Sequence, residues 1–204
     1  MRSITLTAGA VVVAAASTAM AGFDVYLDGG ANSTLQNFGT GNYVAGSEFT
    51  ITAPTPVGSL GWIDAEGDGL TNSHRIGLWN TADQSLIAEA TVTPSSMTVP
   101  SAQGTAQWFL QELEGGSIIL QPGTYRVAGE VNGDSVALSN DKIANGGTSI
   151  TAGYVRTDFP NGGFNYPDLT FSSEAIRATI SPIPAPGALA LLGLAGVAGT
   201  RRRR

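Results

Sequence analysis

Short apolar runs broken by turn residues are the feature that most limits what this chain can fold into. The runs are rich in β-branched and aromatic residues, and glycine, proline, asparagine or aspartate separates them. No long segment between the two ends shows the 3.6-residue period of an amphipathic helix. Short strands at this spacing favour a sandwich or barrel architecture. We predict strands over 48–52, 60–63, 75–79, 85–93, 106–113, 123–131, 149–155, 169–171 and 175–180, and a long polar loop over 132–147.

Cysteine is absent from the chain, so no disulfide can stabilise the fold. Stability must come from packing and hydrogen bonds, with bound ions as a further source. No internal repeat or long linker divides the central region, and a domain of roughly 160 residues can bury an adequate core. The prediction is therefore an all-β fold with a single antiparallel, jelly-roll-like β-sandwich over 22–181, flanked by one helix at each end of the chain.

The N-terminal end has the pattern of a secretory signal peptide. Arg2 supplies a positive charge, residues 4–16 are apolar or small, and Ala19-Met20-Ala21 fits an A-x-A cleavage pattern. This pattern predicts a signal helix over 1–21 that is removed, with a mature start near Gly22. The alternative is a buried N-terminal helix or strand.

The C-terminal end combines a proline-marked break, an uncharged segment and a basic cluster. Pro184, Ala185 and Pro186 precede the uncharged stretch 187–200, and the arginines that follow are Arg201, Arg202, Arg203 and Arg204. A helix needs about 20 residues to cross a bilayer core, so this stretch would span only marginally. The arginines would hold their end on the cytoplasmic side. The alternative is an ordinary core helix with a basic end.

Together these ends resemble the PEP-CTERM class of bacterial exported proteins. In that class an exosortase, a membrane-embedded cysteine protease-transpeptidase, recognises the tail and removes it during export. The usual tripeptide is Pro-Glu-Pro, whereas this chain has Ala185 in place of the glutamate. The resemblance implies a sorting tail over 182–204, an exosortase as partner, and a protein first anchored in the membrane by its tail and then secreted or held at the cell envelope.

Two internal stretches are similar to a β-sandwich domain common in PEP-CTERM proteins. The first spans 57–92 and includes Gly61-Trp62-Ile63-Asp64 and Gly77-Leu78-Trp79. The second is 120–127, where a Pro-Gly turn leads into a strand with Tyr125. That domain type carries no established activity, so this resemblance implies the fold and no chemistry.

The region between the two ends is strongly acidic. It holds all 16 acidic residues and five basic ones, a net charge of −11. Such a domain repels phosphate backbones, which excludes nucleic acid as an expected partner. It could attract divalent cations or cationic surfaces, or its acidity could simply keep an exported protein soluble.

One acidic loop resembles the start of a calcium-binding loop. Asp64, Glu66 and Asp68 alternate before Gly69, in the way that carboxylate ligands precede a sharp turn. The twelfth position is Arg75 instead of a bidentate glutamate, so the EF-hand pattern is incomplete. We expect either a structural calcium site or a solvated loop whose glycines permit positive φ. No other cofactor is predicted.

No set of residues indicates catalysis. His74 is the only histidine, which excludes a His-rich zinc site, and no nucleophile-elbow motif is present. We expect His74 to stabilise a turn or the packing. The sequence predicts a non-enzymatic protein, although paired carboxylates for a hydrolase stay open because sequence spacing does not show distance in space.

Aromatic residues suggest a ligand surface. Trp62 and Trp79 lie in predicted strands and are expected in the core. Loop 158–167 carries Phe159, Phe164 and Tyr166 among prolines and glycines, so its rings are the candidates to face a ligand.

The expected function is a structural or adhesive role in the cell envelope or extracellular matrix, with exopolysaccharide as a candidate partner. The alternative is a secreted carbohydrate-binding module, and the third reading is a hydrolase with unidentified carboxylates.

Overall fold

A computed structural model describes residues 25–39, 41, 43–158, 164–171 and 175–182, and all of their regular structure is β-strand. The strands form several antiparallel sheets, which confirms the predicted all-β class. The predicted signal segment and the tail beyond Pro182 lie outside the described residues. Within these residues no helix is long and apolar enough to cross a membrane.

The described residues contain the following strands in chain order: β1 (Leu27–Gly29), β2 (Thr34–Asn37), β3 (Tyr43–Ile51), β4 (Thr55–Val57), β5 (Ser59–Asp64), β6 (His74–Asn80), β7 (Leu86–Val92), β8 (Met97–Pro100), β9 (Gln107–Glu112), β10 (Ile118–Leu120), β11 (Gly123–Glu130), β12 (Val136–Ser139), β13 (Lys142–Ala144), β14 (Thr148–Asp158), β15 (Leu169–Phe171) and β16 (Ala178–Ser181).

The largest sheet has six strands in the order β15-β14-β3-β11-β6-β7. Strand β11 pairs along its whole length with β3, from Gly123 opposite Ile51 to Glu130 opposite Val44, and with β6 on its other side. Successive side chains of a strand point to opposite faces. The central strands β3, β11 and β6 therefore each present one row of residues to the main core and another row to the outer face.

A second sheet has four strands in the order β16-β5-β9-β8. Ser181 pairs with Ser59, and Ser59 pairs with Glu112, so these three residues form a row across one end of the sheet. Asp64 lies at the opposite end of β5, where it pairs with Gln107. Three two-stranded pairs complete the described sheets, namely β1 with β13, β2 with β12 and β4 with β10.

The main hydrophobic core contains side chains from both large sheets. Trp62 and Phe109 come from the four-stranded sheet, and Phe49, Ile76 and Leu78 come from the six-stranded sheet. The side chain of Trp62 is fully buried, as predicted. Burial of apolar area of this kind is the main favourable term in folding, at roughly 25 cal/mol per Å².

A second core lies on the other face of the four-stranded sheet. Ile63 of β5 and Trp108 and Leu110 of β9 join Leu138 and Ile176 there. Every residue of β5 is buried because both faces of this strand are covered. This double burial explains why β5 lacks the clean polar and apolar alternation of a strand with one solvated face.

The structure corrects the prediction for the segment 132–147. The segment 132–147 was expected to be a long polar loop, but it contains β12 and β13. Strand β12 pairs with β2, and β13 pairs with β1. Leu138 of β12 also forms a bridge with Ile176. These partners are distant in sequence, so local composition alone did not indicate the strands.

The described chain enters and leaves the fold at one place. Tyr26 N donates a hydrogen bond of 2.9 Å to Ile180 O, and Leu27 O accepts one of 2.8 Å from the Thr179 hydroxyl. These contacts run in opposite chain directions, so the segment after Val25 lies antiparallel to β16. The entry at Val25 and the exit at Pro182 are therefore neighbours at the end of the sheet marked by Ser59 and Glu112.

Candidate functional site

The Asp64 carboxylate holds the acidic loop 64–69 in shape by accepting hydrogen bonds from the loop's backbone. Its Oδ1 accepts a hydrogen bond from Gly67 N and its Oδ2 accepts one from Gly69 N, both at 2.8 Å. The two glycines have φ angles of 76° and 100°, which glycine adopts without strain. The carboxylate is buried and each oxygen already has a donor, so it acts as the cap of this turn.

The other two calcium candidates have a different environment. Glu66 and Asp68 are exposed, whereas Asp64 is buried beneath the loop. Within the described ranges, no three histidine or acidic side chains come together as a set that could hold a metal ion. Calcium binding at this loop stays a prediction, and the geometry here is that of a hydrogen-bonded turn.

His74 lies in the main core between two acceptors. Its Nδ1 lies 2.9 Å from Glu130 O, and its Nε2 lies 2.8 Å from Asp134 Oδ2. The ring is fully buried and stacks on Trp62, with ring centroids 4.6 Å apart and an angle of 12°. A carbonyl oxygen only accepts, so Nδ1 donates to Glu130. The second nitrogen then donates to the Asp134 carboxylate when the ring carries two protons.

Asp134 links this histidine to the neighbouring loop. Its carboxylate oxygens also face Thr71 N at 3.3 Å and Asn72 N at 3.4 Å. The His74–Asp134 pair therefore joins the turn after β11 to the segment before β6. This arrangement gives His74 the packing role that its position in the sequence indicates.

Trp79 and Phe164 form an aromatic cluster on the outer face of the six-stranded sheet. Their ring centroids are 5.2 Å apart, and the guanidinium carbon of Arg75 lies 4.3 Å from the Phe164 centroid. Trp79 is buried, as predicted, but in this small outer cluster instead of the main core. Gly77 makes room for the indole, because a Cβ at Gly77 would lie only 2.3 Å from the Trp79 ring.

Arg126 fixes the segment 164–171 over the same face. Its Nε donates to Glu48 Oε2 at 2.8 Å, its Nη2 donates to Thr170 Oγ1 at 3.0 Å, and its Nη1 donates to Pro167 O. Its guanidinium carbon lies 4.9 Å from the Tyr166 ring centroid. Only a planar guanidinium group can stack on a ring and donate several hydrogen bonds in its own plane at the same time.

Phe164 and Tyr166 are consequently half-buried, with one part of each ring on the sheet and another part open to solvent. Burial raises the pKa of the Tyr166 phenol despite the opposing effect of Arg126, and Glu48 and Asp168 raise it further. The phenol therefore stays neutral at physiological pH and can donate a hydrogen bond. Phe159, the third predicted ligand residue, lies outside the described residues.

Asp28 is a buried anchor that sequence reasoning missed. Its Oδ1 accepts hydrogen bonds from Ser101 Oγ at 2.6 Å and Trp108 Nε1 at 2.8 Å, and its Oδ2 accepts one from Ala102 N at 2.8 Å. The carboxylate thus ties β1 to the loop between β8 and β9. No local signal identifies it, because all three partners are more than 70 residues away in sequence.

Asp134 and Arg126 were missed for related reasons. Asp134 lies in the segment read as a polar loop, so nothing marked it as the partner of His74. Arg126 alternates with Tyr125 and Val127, which indicates that it faces away from them but not that segment 164–171 covers it. A basic residue inside a strand of apolar neighbours is the signal that could have drawn attention to it.

The polar groups of these clusters bond mainly to the protein's own chain. The carboxylates of Asp28 and Asp64 hold backbone or side-chain donors, and His74 joins two segments of the core. The partly open rings of Phe164 and Tyr166 are the members of these clusters that could also contact a ligand. No protein-family model, curated protein or solved structure matches this chain.

Proposed function

We propose that this protein is exported and displayed at the cell envelope, where its acidic β-domain has a structural or adhesive role. The observation that carries the proposal is the shared position of the chain's entry and exit, at Val25 and Pro182. The predicted signal peptide and sorting tail attach to the same end of the domain. A domain held at that end presents its opposite end, with the loop 64–69, away from the membrane.

The described sheets support a β-sandwich of jelly-roll type for this domain. The two large sheets share the main core, and the chain alternates between them: β5 and β6 lie in different sheets, as do β7 and β8. Such alternation is expected where two sheets form the halves of one sandwich. The buried anchors Asp28, Asp64 and His74 stabilise it without disulfides.

Sorting can be tested with the full chain carrying an internal epitope in the exposed Gly115–Gly116 turn. In a bacterium with an exosortase, we expect the surface form to lack the tail, as measured by mass spectrometry. Deletion of the exosortase, or replacement of Arg201–Arg204 by glutamine, should leave the longer form in the membrane. Replacement of the four arginines by lysine is the matched control and should still permit processing. Equal masses with and without the exosortase would contradict the proposal.

A second candidate function, carbohydrate binding, is favoured by the half-exposed rings of Phe164 and Tyr166 beside Arg75 and Arg126. Rings of this kind can stack on sugars while the partly exposed Arg75 guanidinium and the Tyr166 phenol bond to hydroxyls. Retention of the full chain on insoluble matrix polysaccharide should fall at least severalfold when Phe159, Phe164 and Tyr166 become alanine. The control is Phe171→Ala in β15, which removes a ring that is 40% exposed. Unchanged retention of the triple variant would exclude this site.

A further inference from the structure

A groove opens along the side of the domain between β7 and the end of β9. It consists of two adjoining depressions of about 550 and 320 Å³. Both depressions include Glu89 of β7 and the pair Leu113 and Glu114 that follows β9. The two depressions therefore form one groove that follows β7, which we call the β7 groove.

Strand β7 is an edge of the six-stranded sheet, because among the described strands it pairs with β6 alone. At the end of β6, Asn80 N donates to Ser85 O on the β7 side, and Thr81 N donates to Thr124 O on the β11 side. The backbone groups of successive β6 residues therefore point alternately to β7 and to β11. Ala88 and Ala90 then bond to β6, and the N–H and C=O groups of Glu89 and Thr91 point away from it. Such an edge can accept an additional strand.

The walls of the β7 groove combine apolar and acidic groups. Leu86 and Ile87 are 44% and 37% exposed, although both are large apolar residues. Glu112 and Glu114 form no ion pair with another described residue, whereas Glu89 pairs with Arg75 at 2.6 Å. The β7 groove therefore offers apolar contacts and uncompensated negative charge beside an unpaired strand edge.

Charge identifies the occupant that this edge fits. Pairing of β7 with the same strand of a second copy would bring glutamates together in a domain whose net charge is already −11. An extended segment rich in lysine or arginine meets no such repulsion. The glutamates would attract its cationic side chains while its backbone bonds to β7.

We propose that the β7 groove binds an extended basic segment of another polypeptide, which adds as a strand to the free edge of β7. Backbone hydrogen bonds from Glu89 and Thr91 supply the main-chain contacts, and Glu112 and Glu114 select for positive charge. This binding does not depend on how the protein is sorted.

The test uses the full chain in nonionic detergent and a short peptide of alternating lysine and valine. Binding should slow amide hydrogen exchange at Glu89 and Thr91, measured by NMR, more than at other exposed strand edges such as β15. Affinity should fall as salt increases. A peptide with proline in place of every valine loses half of its backbone N–H donors, so it should bind at least severalfold more weakly.

Charge selection is tested with two double variants. The groove variant Glu112→Gln/Glu114→Gln should weaken binding about fivefold. The matched control Glu66→Gln/Asp68→Asn removes two exposed acids at the opposite end of the sheet and should leave the affinity unchanged. Equal losses in both variants would show attraction by net charge alone, and unchanged exchange at Glu89 and Thr91 would show that no strand is added. Either result overturns the proposal.

Discussion

At the scale of single residues, stability depends on polar groups placed deep in an apolar interior. Asp28, Asp64, His74 and Arg126 are each buried and each bond to groups far along the chain or across a turn. Removing one partner of such a contact leaves a buried polar group unsatisfied, which costs about 1–3 kcal/mol. These residues therefore contribute to the choice of one arrangement of strands as well as to its stability.

Tyr26 makes the stability depend on pH in the alkaline range. Its side chain is fully buried, its hydroxyl donates to Pro56 O at 3.0 Å, and burial raises its pKa to about 12. The unfolded chain loses the same proton near pH 10. Tyr26 therefore contributes its full stability below about pH 10, and this contribution is lost as the pH rises through 12, by about 3 kcal/mol in all.

Urea unfolding at about pH 9 and about pH 11.5 measures this loss. Burial also raises the pKa of Tyr125 and of Tyr166, with the same sign, so Tyr26→Phe should reduce the pH dependence without abolishing it. The control Tyr43→Phe removes a different buried phenol whose hydroxyl donates to Gly39 O at 3.0 Å. Identical pH dependence in Tyr26→Phe and the unaltered chain would contradict the assignment.

At the scale of strands, apolar runs in the sequence predicted nearly all strands of the two large sheets and missed the strands of the three two-stranded pairs. The predicted runs overlap β3, β5, β6, β7, β9, β11, β14, β15 and β16, because each of these strands alternates or concentrates apolar residues. Strands β1, β4 and β10 have only three residues each, too few to show a period. Their pairing comes from partners distant in the chain, and no local pattern records it.

Local sequence patterns also did not show which residues of the candidate sites come together in space. Sequence spacing placed Asp64, Glu66 and Asp68 together, but the turn points the Asp64 carboxylate inward to Gly67 N and Gly69 N while the other two acids stay exposed. Phe164 and Tyr166 are partly open to solvent, and their contact with a ligand stays a prediction. Their contact with Trp79 and Arg126 crosses several strands and could not be inferred from the chain order.

At the scale of the whole molecule, the closeness of the chain's entry and exit has a direct consequence for its topology. Val25 and Pro182 lie beside each other because the segment around Tyr26 runs antiparallel to β16. A short glycine-serine linker should therefore join them without disturbing either core. New ends can be opened between Gly115 and Gly116, which are exposed and have open space where a Cβ would lie.

This circular permutant should keep its β-type circular dichroism and a melting temperature within about 5 °C of the unpermuted domain. A control permutant opened inside β11, at Val127, should not fold, because this strand holds β3 and β6 together. An unfolded Gly115–Gly116 permutant would mean that the entry and exit are not neighbours. That result would also remove the observation that carries the proposed display, because the N-terminal segment and the sorting tail would then attach to the domain at distant points.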